Sequence, residues 1–311
     1  MHQKLQKRLE KQHYAIVGDH SAVKLCHWMK QSLLHNRHCY KQEFYGIQSH
    51  RCLQMTPTIN HCNHSCLFCW RYQGFTEHHI ENPDDPNFIL DNAIKGQQRL
   101  ITGFKGDERC DLKKWQEANS PNMVACSLSG EPTLYPLLDD FFDACHKKNM
   151  TTFLVTNGTN PQVLENLNPL PKQLYVSLVA PNEEVYKKLC IPYVKKGWEK
   201  IQETLSLLPS LDTRTVIRHT LLKNWNIETN FIDAYAKLIE KADPLFIEPK
   251  GYVFVGSSRT RLTLAHMPSH EEIKQFSIKL AQLSGYSIAN EKEDSRVVLL
   301  SKKDKPKRFD Q

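Results

Sequence analysis

Three cysteines within eight residues, Cys62, Cys66 and Cys69 in CNHSCLFCW, form the densest set of metal-ligating side chains in this chain. One thiolate binds one iron, so three of them on a four-iron cluster leave the fourth iron open to a substrate or cofactor. An open iron implies chemistry rather than scaffolding. The competing reading is a tetrahedral zinc site completed by His61 or His64. Structural zinc sites pair two short Cys or His spacings, and no second short pair of that arrangement follows downstream.

Such a loop needs a scaffold. Apolar runs rich in β-branched residues recur at 123–128, 151–156, 173–180, 215–222 and 244–249. Each reads as a buried parallel strand, with amphipathic stretches such as LLDDFFDACHKKN between them. A further strand in CLQMTPTIN, just before the cysteine loop, brings the expected count to six, two fewer than a closed TIM barrel has. The expected fold is therefore α/β, a partial six-stranded barrel. Residues 1–55 read as an N-terminal extension, 56–255 as the barrel and 256–311 as a C-terminal extension with a basic tail. Residues 70–122 are too long for a simple connection and are expected to be an insertion over the mouth. Ser269 and Glu272 form a capping-box signal before a stripe of Ile273, Phe276, Leu280 and Leu283 that ends at Gly285. SRVVLL at 295–300 reads as an antiparallel edge strand.

In a barrel of this kind functional groups collect where strands end. Gly130, Glu131 and Pro132 follow one strand directly, Asn157 and Gly158 end the next, and Ser177 lies in the one after. Arg218, Glu248 and Lys250 are charges inside apolar strands, so each needs a partner or a ligand. Mutual pairing of Arg218 with Glu248 and contact with a substrate both satisfy that need. Upstream, Cys26, Cys39 and Cys52 stand thirteen residues apart, a spacing that only folding could bring together. Cys126 and Cys145 fit apolar core positions.

A net charge of +7 with 15 histidines favours polyanionic partners. Basic residues gather at Lys4, Lys7, Arg8 and Lys11, at Lys195, Lys196 and Lys200, and in the tail SKKDKPKRF. The N-terminus lacks the apolar core of a signal peptide, and no apolar run reaches the roughly 20 residues that cross a bilayer. A cytoplasmic protein with reduced thiols and no membrane partner is expected, its ten cysteines serving as metal ligands and buried thiols.

The CxxxCxxC spacing, with Phe68 before the last cysteine, resembles the signature of the radical S-adenosylmethionine (SAM) superfamily. SGEPTL one strand later is similar to the motif that holds the SAM amino group there. Across almost the full chain, AVKLCHWMK, HCYKQEFYGIQSHRCLQMTP, CNHSCLFCWR, SLSGEPTLYP and EDSRVVLL resemble the archaeal-type tRNA 4-demethylwyosine synthases of wybutosine biosynthesis. That resemblance implies SAM held by Gly130, Glu131, Pro132, Asn157 and Ser177, and one 4Fe-4S cluster on Cys62, Cys66 and Cys69. It also implies a second 4Fe-4S cluster on Cys26, Cys39 and Cys52. The implied reaction joins two pyruvate carbons to 1-methylguanosine beside the anticodon of tRNA(Phe), as a carbon-carbon lyase, with electrons from a flavodoxin- or ferredoxin-type reductant. A monomer is implied as well. Lys41, in the matching CYK, becomes a candidate for a Schiff base with pyruvate. Arg71, Arg218, Glu248 and Lys250 are candidate substrate contacts, and Trp70 is expected to pack in the barrel. A tRNA methylthiotransferase would need a larger first-cluster domain, and a glycyl-radical activating enzyme carries its additional clusters after the signature. A zinc-stabilised RNA-binding protein is the reading from another class.

Overall fold

The computed structural model describes residues 1–302 and 308–310, so Lys303, Lys305 and Lys307 of the basic tail lie outside the described residues. In chain order, α1 (Gln3–Lys11) leads into a hairpin of β1 (Tyr14–Val17) and β2 (Ser21–Lys24). Next come α2 (His27–His35), α3 (Tyr40–Tyr45) and β3 (Cys52–Thr56). α4 (Pro86–Ile101) and α5 (Leu112–Ala118) connect to β4 (Met123–Cys126), followed by α6 (Leu138–Lys147) and β5 (Thr151–Thr156). The chain continues through α7 (Pro161–Asn166), β6 (Gln173–Ser177), α8 (Glu183–Cys190), α9 (Gly197–Leu207) and β7 (Arg214–Leu221). It finishes with α10 (Ile232–Ala242), β8 (Phe246–Gly251), α11 (His270–Ser284), β9 (Ser287–Lys292) and β10 (Val297–Ser301).

The six expected strands are β3 to β8, each parallel to the next. Antiparallel pairs extend the sheet on both sides, giving the order β1-β2-β3-β4-β5-β6-β7-β8-β10-β9 among the described residues. The outer strands are β1 and β9, so the sheet does not close on itself. SRVVLL forms β10, antiparallel to β8, but β9 pairs beyond it and takes the edge. The hairpin β1–β2 and strand β9 left no readable pattern in the sequence. Two four-residue strands are too short to show alternation, and β9 is polar and half-exposed throughout.

Alternation along the parallel strands divides two cores. Val124, Leu154, Val176, Ile217 and Ile247 face outward onto the helices, where Phe141 and Phe142 of α6, Ile239 of α10 and Phe276 of α11 cover them. Ala125, Phe153, Tyr175, Val216 and Phe246 face inward onto Tyr40, Phe44 and Tyr45 of α3. Within the 70–122 segment, α4 is the crossover helix from β3 to β4 and not a cover for the mouth. Asp85 caps its start, and its buried stripe of Ile89, Leu90 and Ala93 belongs to the outer core with Val17, Val23 and Phe142. Gly96 lets it approach β1, since an added Cβ would stand 3.1 Å from that of Ala15. The capping box of Ser269 and Glu272 opens α11, and Gly285 closes it in the left-handed conformation. Leu283 of the expected stripe is exposed, because the apolar face has rotated past it by the last turn. No helix among the described residues is long and apolar enough to cross a membrane.

Phe309 returns to the inner core. Its N–H donates to the Tyr45 carbonyl, its ring meets Phe153 edge-on at 5.6 Å, and the Arg214 guanidinium lies 4.4 Å from its centroid. Phe309→Ala is therefore expected to cost about 1–2 kcal/mol, less than a fully buried Phe because the ring is half-exposed. Urea unfolding should show a lower midpoint at unchanged slope.

Candidate active site

The cysteine loop follows the C-terminal end of β3. A cavity of about 360 Å³ opens against it, lined by Cys62, Cys66 and Cys69, by Gly130 and Glu131 after β4, and by Asn157 after β5. Arg71, Pro132, Ser177, Arg218 and Lys250 of the expected set also lie on its wall, as does Trp70, whereas Glu248 does not. Parallel register explains much of this convergence: Ser177 is paired with Arg218, and Arg218 with Glu248.

Gly130 has φ +74, and a Cβ there would fall 1.7 Å from the Thr58 carbonyl oxygen. Gly130→Ala is expected to cost the roughly 1–2 kcal/mol of a left-handed backbone plus that collision. Thermal unfolding would register the loss, and SAM binding by the variant should fall with it. Glu131 is 2% exposed, and burial raises its pKa. Its Oε1 accepts from the Thr133 N–H at 3.2 Å and from the hydroxyls of Thr133 and Thr156, each at 2.7 Å. Its Oε2 accepts from the Asn157 N–H at 2.7 Å. The carboxylate thus ties the ends of β4 and β5 together, while Pro132 starts the 3-10 turn Pro132–Leu134 beneath it.

Asn157 donates from Nδ2 to Asn63 Oδ1 at 2.7 Å, and Asn63 donates to Thr159 Oγ1 at 2.6 Å. This pair fastens the cysteine loop to β5. Arg71 is buried, donating to Thr76 Oγ1 at 2.9 Å and to the His64 carbonyl at 3.2 Å. Burial pushes the Cys62 thiol up to about 12 and raises that of Cys69, while the Arg71 charge works the other way on both. Arg71 is therefore tied to the loop by its own hydrogen bonds and places its positive charge beside all three thiols. Arg261, Gly256 and Ser257 were not legible as site residues. Arg261 donates to the carbonyls of Leu67 and Cys69, Ser257 N–H donates to the Trp70 carbonyl at 2.9 Å, and a Cβ on Gly256 would stand 2.4 Å from that same oxygen. Trp70 packs on Tyr14 as expected, with ring centroids 6.3 Å apart, yet its other side faces the cavity.

On the inner face the second trio assembles. Cys26 precedes α2, Cys39 precedes α3 and Cys52 opens β3. All three keep accessible surface, while burial raises the Cys26 thiol and pushes those of Cys39 and Cys52 up to about 12. Each also feels the others' charge: Cys26 acts on Cys39, and both act on Cys52. Lys41 and Lys250 place positive charge towards Cys26 and Cys39, as Arg71 does for the first trio. Among the described residues, the group of His, Cys, Asp or Glu whose donor atoms all lie within 4.8 Å is His64, Cys66 and Cys190. Neither cysteine trio is drawn in so closely, whereas one tetrahedral zinc needs sulfurs about 3.8 Å apart.

Lys41 extends from α3 into the barrel, its Nζ 4.3 Å from the Tyr175 ring centroid and 4.9 Å from that of Phe153. Burial lowers its pKa, and the neighbouring Arg218 charge lowers it further. Lys250 is brought down to about 8 by the same two causes. Arg218 and Glu248 pair with each other, Nε to Oε2 at 3.0 Å. Glu248 is 0% exposed and also accepts from Tyr40 at 3.1 Å and Tyr45 at 2.6 Å. The carboxylate thus anchors α3, and Glu248 does not line the central cavity. Arg218 and Lys250 remain on the cavity wall.

Residues 56–234 match the radical SAM superfamily model, and residues 241–302 match a model described as wyosine base formation. A solved structure of TYW1 with a lysine-pyruvate adduct bound superposes with TM-score 0.90 at 39% identity, covering 99% of each chain. A crystal structure of archaeal TYW1 superposes with TM-score 0.80 at 37% identity, covering 97% of this chain and 96% of that one. An open, mostly parallel barrel with three loop cysteines over its C-terminal mouth defines a radical SAM protein, for which SAM and a 4Fe-4S cluster are the cofactors. A relative from Pyrococcus abyssi, S-adenosyl-L-methionine-dependent tRNA 4-demethylwyosine synthase, is 52% identical over 300 residues, covering 94% of this chain and 87% of its own. The chain belongs to the tRNA 4-demethylwyosine synthase family, whose substrate is a tRNA.

Proposed function

We propose that this chain builds 4-demethylwyosine from 1-methylguanosine in tRNA(Phe), taking two carbons from pyruvate, as a cytoplasmic monomer that draws electrons from a flavodoxin- or ferredoxin-type protein. Cys62, Cys66 and Cys69 would hold the SAM-cleaving cluster, with Gly130, Glu131, Pro132, Asn157 and Ser177 around SAM. A cluster and SAM held there would supply radical chemistry able to take hydrogen from the methyl group of the base. Cys26, Cys39 and Cys52 would hold the second 4Fe-4S cluster, in keeping with three thiols near enough to act on one another electrostatically.

The observation that carries this reading is the Lys41 amine, inside the barrel on the short helix that follows Cys39. Burial and the Arg218 charge disfavour its ammonium form, which favours the neutral amine that can attack a ketone and form an imine with loss of water. Arg218 stands close enough to act on it electrostatically and also acts on Lys250, and these two cations suit a pyruvate carboxylate. The lysine-pyruvate adduct in a solved TYW1 at 39% identity supports the same chemistry. Around it Tyr175 and Phe153 exclude water from a bond that water would hydrolyse.

Incubation with 1-methylguanosine-containing tRNA, SAM, reductant and carbon-labelled pyruvate, followed by nucleoside mass spectrometry, tests the proposal. Label from two pyruvate carbons should enter the nucleoside. SAM cleavage with an unlabelled, unchanged nucleoside would reject it. About eight irons per chain are expected, and about four would remove the second trio from the site.

A further inference from the structure

Taking a tRNA as the substrate, as the family does, we infer that α1 and the segment after the cysteine loop form the groove that grips the anticodon-loop strand beside the cavity. A hollow of about 450 Å³ is lined by Lys4, Lys7, Arg8, Lys11, Tyr72 and Phe75 and is separate from the central cavity. Lys4, Lys7 and Lys11 follow at helical spacing along one face of α1, and all four basic side chains are exposed. Among the described residues no ion pair engages any of these four cations. Unpaired cations spaced along a groove are what a phosphodiester backbone recruits, through release of its counterions.

Aromatic faces alternate with these charges. The Arg8 guanidinium lies 3.8 Å from the Tyr72 ring centroid, and His2 stacks on Phe75 with centroids 4.6 Å apart. A protein partner of acidic surface has no need of such planes, whereas unpaired bases stack on them. The groove also adjoins the chemistry. Leu5 and Leu9, on the other face of α1, share a small core with Tyr72, Phe75, Trp70 and Leu128. Trp70 and Leu128 line the central cavity as well, so one layer of side chains separates the groove from the reacting atoms. A strand held there delivers its neighbouring base to the mouth.

The test is the triple substitution K4Q/K7Q/K11Q in the reconstituted enzyme, with K4R/K7R/K11R as the charge-retaining control. The Gln variant should bind tRNA about tenfold or more weakly at moderate salt, with a salt slope smaller by about 2, as loss of three phosphate contacts on a single strand predicts. The Arg variant should restore both. SAM cleavage without tRNA and trapping of pyruvate on Lys41 should stay at parental levels. Unchanged tRNA affinity and slope in the Gln variant would overturn the inference. So would a defect seen only when an acidic electron-transfer protein replaces dithionite, since the patch would then belong to the electron donor. Failure of the proposed reaction itself reads differently: the parent would bind tRNA through this groove and yet make no labelled nucleoside.

Discussion

Lys41→Ala should abolish borohydride-stable incorporation of labelled pyruvate and lower 4-demethylwyosine formation by at least about 100-fold, since holding a reactant in place is worth that much by itself. SAM cleavage should persist, because Gly130, Glu131 and the cysteine loop are untouched. The pH dependence separates this lysine from an ordinary one. Imine formation needs the neutral amine, and burial with the Arg218 charge lowers the Lys41 pKa from 10.5. Trapping should therefore rise with pH along a titration whose midpoint lies below 10.5, and flatten above it. A midpoint at or above 10.5, or a stable adduct in Lys41→Ala, would refute the role assigned to this amine.

Glu248→Ala should be the most damaging change away from the cysteines. Removing the carboxylate leaves Arg218, 16% exposed, without its ion-pair partner and takes the acceptor from both Tyr40 and Tyr45. Breaking a buried pair costs about 3–5 kcal/mol. Both tyrosines belong to α3, so the damage reaches the helix that carries Lys41 and follows Cys39. The expected result is a large fall in the urea midpoint, with iron falling from about eight to about four per chain as the second trio loosens. Glu248→Gln, which keeps an acceptor for the tyrosines, should recover part of the stability. Parental stability and iron content in Glu248→Ala would show that α3 is held by its apolar packing alone.

Local signals were strong where one segment contains the whole chemistry. The CxxxCxxC loop, the GEP turn and six apolar runs each lie within a few residues, so period pointed to the open barrel, and the spacing, through its resemblance to the radical SAM signature, pointed to one cluster site. The capping box at Ser269 and Glu272 was equally legible, because a helix start is made by residues three apart. Tertiary structure decided everything that depends on side chains distant in sequence. That Arg218 pairs with Glu248 turned on strand register, and that Glu248 anchors α3 turned on two tyrosines about 200 positions upstream of it. Asn157 and Arg71 prove to hold the cysteine loop, a role set by Asn63, Thr76 and the His64 carbonyl. Arg261 and Gly256 carried no motif at all, since a backbone carbonyl of Leu67 or Trp70 can be met by any suitably placed donor or close-packed glycine. A sequence displays residue types and local period; which charge is paired, and which remains for chemistry, is settled only when folding brings the partners within hydrogen-bond distance.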